Sequence, residues 1–201
     1  TTDIGLDFGF FDGRINGTIE YYNTKTTDLL VNKSIPSSLG YLTQTVNLAE
    51  MRNNGIEITL NTTPIKTGNF RWDINFTFSK NKNEIKKIDG QVDENGKPLD
   101  DVNNKWFVGH PMNVYYDYVF DGIWQKDDDI ANSHMPTATP GSIKLLDVNK
   151  DNQITADDRV VMQRDPKWIS TVGTALHYKG FDLSADLYIS HGGTIYNPYL
   201  T

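Results

Sequence analysis

The chain has 201 residues, a formal net charge of −7, 37% hydrophobic residues, a mean hydropathy of −0.51 and no cysteine. Acidity without a basic cluster argues against a nucleic-acid partner, and the lack of cysteine excludes disulfides and thiolate metal sites. No stretch approaches the ~20 apolar residues of a membrane-spanning helix. β-strand spans stay open, because a barrel strand shows lipid only alternate residues over ~9–11 positions.

In chain order, the alternation of apolar and polar residues predicts strands at 3–11, 14–23, 54–64, 69–81, 112–121, 168–178 and 181–190. Ile4, Leu6, Phe8 and Phe10 alternate with Gly5, Asp7 and Gly9; after Asp12-Gly13, Ile15, Gly17, Ile19 and Tyr21 alternate with Asn16, Thr18 and Glu20. Asp-Gly suits a two-residue hairpin turn, in which both positions need positive φ. Such a turn pairs Phe10 with Ile15, Phe8 with Gly17 and Leu6 with Ile19, so the apolar residues share one face. A slip of one residue would scatter them.

A second hairpin is expected from Ile56, Ile58 and Leu60 to Phe70, Trp72, Ile74, Phe76 and Phe78. A three-residue loop, Lys66-Thr67-Gly68, would place Gly in the left-handed position and pair Leu60 with Ile74 and Ile58 with Phe76. A third hairpin turns at Lys179-Gly180 and pairs Tyr178 with Phe181, Leu176 with Leu183 and Val172 with Leu187.

The remaining connections, 24–53, 82–111 and 122–167, are long and rich in Asn, Asp, Thr, Ser, Pro and Gly. Very short turns at one end and long loops at the other are the layout of an outer-membrane β-barrel. The expected fold class is therefore all-β: an antiparallel transmembrane β-barrel segment with long extracellular loops. If the short turns share one side, the chain must cross an even number of times between 69–81 and 168–178. Segment 112–121 then either pairs near 141–148 to cross, or belongs to an extramembrane hairpin, which is the preferred expectation. Phe10, Phe70, Trp72, Tyr178 and Phe181 near the short turns, and Tyr21, Tyr22 and Trp168 near the loops, fit two interfacial aromatic girdles. Both chain ends look cut, with no initiator Met and no leader, so 1–201 is expected to be an internal fragment.

Within 122–167, the segment Asp147-Val148-Asn149-Lys150-Asp151-Asn152-Gln153-Ile154-Thr155 through Asp158 fits a calcium loop of about twelve residues. Side-chain oxygens of Asp147, Asn149, Asp151 and Asp158 fall at the ligand positions, and Gln153 offers a backbone carbonyl. Asn152 stands where a sharp-turn Gly is usual, and Asn tolerates that conformation. Ca²⁺ is the ion such a hard-oxygen set would take; the alternative is a solvated Asx-rich turn. His110, His134, His177 and His191 show no metal-ligand spacing, and no nucleophile-elbow or phosphate-loop motif is present. No enzyme activity is expected.

An ordered set of segments resembles the SusC/RagA family of TonB-dependent outer-membrane transporters of Bacteroidetes. These are Phe10-Phe11-Asp12-Gly13-Arg14, Ile19-Glu20-Tyr21-Tyr22 and Thr26-Thr27-Asp28-Leu29-Leu30. Next come Pro36, Gly40-Tyr41 and Asn53-Asn54-Gly55-Ile56-Glu57. The set ends with Phe120-Asp121-Gly122-Ile123-Trp124-Gln125, Pro140-Gly141-Ser142-Ile143-Lys144, Asp147-Val148-Asn149-Lys150-Asp151 and Tyr178-Lys179-Gly180-Phe181-Asp182-Leu183. The match spans nearly the whole chain. Asn47-Leu48-Ala49 departs by lacking a Gly, as does Lys150-Asp151-Asn152.

The resemblance implies a barrel of about 22 strands closed by an N-terminal plug that this fragment lacks. It implies TonB as the energy source, acting through the absent N-terminal region. It also implies a SusD-like surface lipoprotein as partner, an oligosaccharide or peptide as cargo, outer-membrane lipid around the wall and a Gram-negative outer membrane as location. Tyr41, Trp106, Tyr115, Tyr116, Tyr118 and Trp124 are the expected substrate-gripping aromatics, since sugar C–H faces stack on rings. The rival expectation is a secreted soluble β-sandwich carbohydrate-binding module, which shares the hairpin alternation and calcium loop. Solvent separates the two: a barrel wall shows its apolar face to lipid, whereas a sandwich folds it into a dry interior.

Overall fold

The structure, a computed structural model, describes residues 1–35, 37–88 and 92–196; Pro36 lies outside these. Two units are present, each taken by itself. One comprises Thr1–Met112 with Asp165–Gly192; the other is Asn113–Arg164 with Gly193–Thr201, of which the last five residues are not described.

The first unit is a single antiparallel sheet of six strands: β1 (Thr2–Phe10), β2 (Ile15–Ser34), β3 (Thr43–Lys66), β4 (Phe70–Lys87), β9 (Trp168–Tyr178) and β10 (Phe181–His191), in that order across the sheet. The second unit holds two short ladders. β5 (Val114–Asp117) pairs with β8 (Val160–Gln163), and β6 (Phe120–Ile123) pairs with β7 (Ile143–Leu145) inside it. The expected single strand 112–121 is thus broken into two pieces. Neither joins the six-stranded sheet, where β4 pairs directly with β9; the expected partner near 141–148 is found, but in the separate β6–β7 ladder.

The first and third hairpins adopt the expected registers: Phe10↔Ile15, Phe8↔Gly17 and Leu6↔Ile19, then Tyr178↔Phe181, Leu176↔Leu183 and Val172↔Leu187. Asp12 and Gly13 take φ of 53° and 81°, and Arg14 N–H donates to the Phe11 carbonyl at 3.2 Å. The second hairpin differs. Leu60 pairs with Phe76 and Ile58 with Phe78, two residues from the expected register, and Gly68 is not in the left-handed region. Two changes combine: Lys66 faces Arg71, three residues beyond the expected register, and β3 carries one extra residue at Thr63-Pro64, where Thr62 faces Ile74 while Ile65 faces Trp72, which takes one back. Pro64 has no N–H to give a ladder, and a bulge is where a strand tolerates that. The turn then tightens, with Thr67 N–H donating to the Phe70 carbonyl at 2.8 Å. The offset is even, so each side chain keeps its face.

The segments read as loops at 24–53 and 82–111 are in good part strand, because β2, β3 and β4 run on past their apolar stretches. At 20 residues, β2 measures roughly 65 Å, far beyond the ~25 Å apolar band of a barrel. Hydrophobic alternation disappears where both faces are wet, so the sequence signal ends before the ladder does. Cross-strand polar pairs hold this extension: Thr45 Oγ1 to Asn32 Oδ1 at 2.7 Å, Arg52 Nε to Asn23 Oδ1 at 2.9 Å, and Lys25 Nζ to Glu50 at 2.8 Å.

The apolar face is bare. Ile4 is 64% exposed, Leu183 67% and Leu187 59%. Among the described residues the buried apolar side chains are Met51, Ile85, Ile88, Phe107 and Trp124, none of them on the alternating stretches that define the band. Met51, Ile85 and Ile88 form a small cluster with Leu29, Trp106, Val108 and Met112 at the loop end of the sheet. Segment 106–112 is tied there by Ile85 N–H to the His110 carbonyl (2.9 Å) and Gly109 N–H to the Ile85 carbonyl (2.8 Å). A sandwich requires this face to be dry and buried, and Ile4, Leu183 and Leu187 on it are exposed instead, against the sandwich expectation. The sheet is one open layer and does not close on itself over this length.

Candidate functional site

Register places polar residues in rows across the strands on the opposite face. Asn16, Asn61 and Asn75 form one row, with Asn61 Nδ2 donating to Asn16 Oδ1 at 3.2 Å. Thr18, Thr59, Thr77 and Thr171 form the next, four threonines abreast on β2, β3, β4 and β9. Glu20 stands opposite Glu57 beyond them. Nearer the short turns, Asp73 accepts from Thr63 Oγ1 (2.7 Å) and Arg71 Nε (2.6 Å) and lies 3.3 Å from His177 Nε2. The other ring nitrogen of His177 is 2.5 Å from Asp182. This face is a continuous hydrogen-bonding wall of hydroxyls, amides and carboxylates. It can solvate a water-filled space and hydrogen-bond passing polar solutes.

Neither the threonine row nor the Asp73–His177–Asp182 network carries a motif that marks it in the sequence. Both are implied by the pairing, since Tyr178↔Phe181 also sets His177 beside Asp182.

Two polar side chains on the apolar face bond within the sheet: Trp72 Nε1 donates to Thr174 Oγ1 at 2.8 Å, and Ser170 Oγ to the Thr77 carbonyl at 2.8 Å. A wall that meets hydrocarbon requires this, because no water is there to replace such bonds. Aromatic rings mark both ends of the band: Phe70 beside Tyr178 (6.5 Å between centroids) at the short turns, and Trp168 stacked on His191 (5.1 Å) toward the loops.

The expected substrate-gripping aromatics fall in three places. Tyr41 is exposed near the tip joining β2 to β3, and Trp106 packs on the Met51–Ile85–Ile88 cluster. Tyr115, Tyr116, Tyr118 and Trp124 belong to the second unit. There Tyr115 stacks on Tyr196 (6.0 Å), with the Arg164 guanidinium also 6.0 Å from its ring. Arg159 lies over Tyr118 at 5.1 Å, and Lys144 over Trp124 at 4.8 Å. Trp124 is 4% exposed, so its ring belongs to the packing of that unit.

The 147–158 loop wraps through successive side-chain-to-backbone turns. Asp147 accepts N–H donations from Lys150 (2.6 Å) and Asn152 (2.8 Å), Asn149 from Asp151 (3.0 Å), and Asp151 from Gln153 (2.9 Å). Asn152 takes φ of 64°, filling the sharp-turn position. Asp158 is fully buried and accepts from Val148 N–H (2.9 Å) and Thr155 N–H (2.7 Å), while Thr155 and Asp158 form a reciprocal capping box. These donations, Thr155's first, hold its carboxyl below the usual aspartate value. Asp147, Asn149 and Asp151, like Asp158, thus spend side-chain oxygens on N–H groups of the loop itself, the pattern of an Asx-rich turn. Among the described residues no three His, Asp or Glu side chains gather around one point.

Comparison with known proteins decides the family. Residues 1–142 match the family model described as TonB dependent receptor-like, beta-barrel. The chain belongs to that family. TonB-dependent receptor P26 of Formosa agariphila is 33% identical over 201 residues, covering 97% of this chain and 20% of that protein. TonB-dependent receptor SusC of Bacteroides thetaiotaomicron is 30% identical over 213 residues, covering 100% of this chain and 20% of the relative. Among solved structures, the RagAB peptide transporter superposes with a TM-score of 0.66 at 22% identity over 92% of this chain and 20% of its own, a likeness of fold. The SusC/RagA resemblance is thereby shown, and the chain spans about a fifth of the length of the relatives it matches. TonB-dependent receptor barrels are outer-membrane proteins. Within such a receptor the six-stranded sheet is barrel wall: apolar face outward, polar face toward the lumen, long connections on the outer side.

Proposed function

We propose that this chain forms part of the wall and outer loops of a Gram-negative outer-membrane importer of oligosaccharides or peptides, energised through TonB and working with a SusD-like surface lipoprotein. The observation that carries this reading is the single-layer sheet with one bare apolar face and one continuous hydrogen-bonding face. Relatedness to SusC supports a lipoprotein partner, and likeness to the RagAB peptide transporter supports peptide as one cargo class. Tyr41, Trp106, Tyr115, Tyr116 and Tyr118 remain the proposed aromatic contacts to cargo. The test is uptake by cells carrying or lacking the full-length receptor, with labelled oligosaccharide and labelled peptide pools. Loss of one class on deletion assigns the cargo, and unchanged uptake of both contradicts the reading.

Calcium in the 147–158 loop is a second proposal, favoured by the left-handed Asn152 and the wrapped Asp147, Asn149 and Asp151. Ca²⁺ takes six to eight oxygens, so water or a released Asp158 would complete the set. Calcium titration of the full-length receptor tests it: heat of binding that Asp151→Asn removes supports the site, and no heat rejects it.

A further inference from the structure

The outward face changes character at the loop end of the apolar band. Tyr21 pairs with Ile56 and Ile56 with Lys80, so Lys80 stands on the apolar face in the row of Tyr21. One step further on that face come Asn23, Asn54 and Lys82, then Lys25, Arg52 and Glu84. Lys86 and Glu50 follow. Five cations (Lys25, Arg52, Lys80, Lys82 and Lys86) thus share this strip with two carboxylates, Glu50 and Glu84. Glu84 is divided between Lys82 (2.8 Å) and Lys86 (2.6 Å), and Glu50 is taken by Lys25 (2.8 Å). Arg52 donates to neutral Asn23, and among the described residues Lys80 has no ion-pair partner. Lys80, Lys82, Arg52 and Lys25 are all exposed.

This local excess of positive charge arises in a chain of net charge −7. At the short-turn end, where Phe70, Trp72, Tyr178 and Phe181 stand, the described strands carry no Lys or Arg on the apolar face, and Lys179 of the turn lies over the Tyr178 ring at 5.3 Å; the clustered cations belong to the loop end. The strip is continuous with the lipid-facing band and begins at its aromatic margin, the height at which headgroup phosphates lie. Resting on the barrel-wall reading above, we infer that Lys80, Lys82, Arg52 and Lys25 form a docking strip for the phosphate-bearing headgroups of lipid in the outer leaflet. The tails of a bound lipid lie along Ile56, Phe78 and Ile19, while its phosphate accepts from the ammonium and guanidinium groups. The paired carboxylates keep Lys25 and Lys82 extended along the strip, and among the described residues Lys80 has no ion-pair partner to displace.

The test uses the full-length receptor in mixed micelles holding equal amounts of phosphatidylglycerol and phosphatidylcholine, with retained lipid counted by native mass spectrometry. The receptor retains phosphatidylglycerol in preference. The triple variant Arg52→Gln/Lys80→Gln/Lys82→Gln loses that preference, about fivefold for each cation removed. The charge-keeping variant Arg52→Lys/Lys80→Arg/Lys82→Arg retains it, and Lys80→Gln alone gives a partial loss should the triple variant fail to fold. Lipid retained without preference overturns the strip while leaving the lipid-facing wall in place. No retained lipid of either kind overturns both.

Discussion

Phe8 lies across Gly17, its register partner on the neighbouring strand. A Cβ built on Gly17 would come within 2.9 Å of Phe8 Cζ and 3.3 Å of Leu60 Cα, and closer still to the Thr59 carbonyl oxygen. Because β3 backbone cannot swing away as a side-chain end can, Gly17→Ala is expected to destabilise the receptor by ~1–3 kcal/mol. Gly9 provides the contrast. It has nothing within 4 Å of its Cβ position, and Gly9→Ala is expected to be neutral or to stabilise by up to ~1 kcal/mol through reduced freedom of the unfolded chain. Urea unfolding of the full-length receptor in vesicles measures both.

The Asp12-Gly13 turn sets the register of β1 on β2. Gly13 at φ 81° makes Gly13→Val cost about 1–2 kcal/mol, whereas Asp12→Asn at φ 53° should change little, since Asn accepts the left-handed region. Equal effects in the same unfolding assay would contradict the turn assignment.

Turn chemistry of this kind makes the first and third hairpins legible from the sequence down to individual pairs. The second departs from its expected register by two residues because the turn lies further along than the Lys66-Thr67-Gly68 loop places it, and Pro64 gives no local sign of the one-residue bulge that partly offsets this. The long β2–β3 extension is hidden for a different reason. Above the membrane both faces meet water, so Thr24, Thr26 and Thr45 hold strand geometry without leaving an alternating pattern. β5 to β8 are three or four residues each, too short for any period to show. The aromatics Tyr115, Tyr118 and Trp124 are visible as residue types, but the cations that cover them, Arg164, Arg159 and Lys144, lie 20 to 49 positions away in sequence (144 − 124 = 20; 164 − 115 = 49).

Asp158 organises the 147–158 loop through its charge. Its folded pKa is depressed, chiefly by the Thr155 N–H. The stabilisation is therefore fully present above the unfolded aspartate value and is lost as pH falls through the lower folded one. Amide hydrogen exchange at Val148 and Thr155 should stay slow from neutral pH down to the ordinary aspartate range and quicken only below it, after correction for intrinsic rates. Asp158→Asn should quicken exchange at neutral pH and abolish that pH dependence. Protection unchanged in the variant would contradict the role given to this carboxylate.

The account stands on the direction in which the apolar face looks, and charge placed at the middle of the band tests it most directly. Ile74 and Leu187 lie on that face midway between the aromatic margins; Asn75 and Ser184 lie on the other face of the same strands. Unfolding of the full-length receptor in lipid vesicles should show Ile74→Arg and Leu187→Arg each costing ~2–4 kcal/mol, with Asn75→Arg and Ser184→Arg costing much less. Equal tolerance of arginine on the two faces would contradict a wall that meets lipid on one side and water on the other.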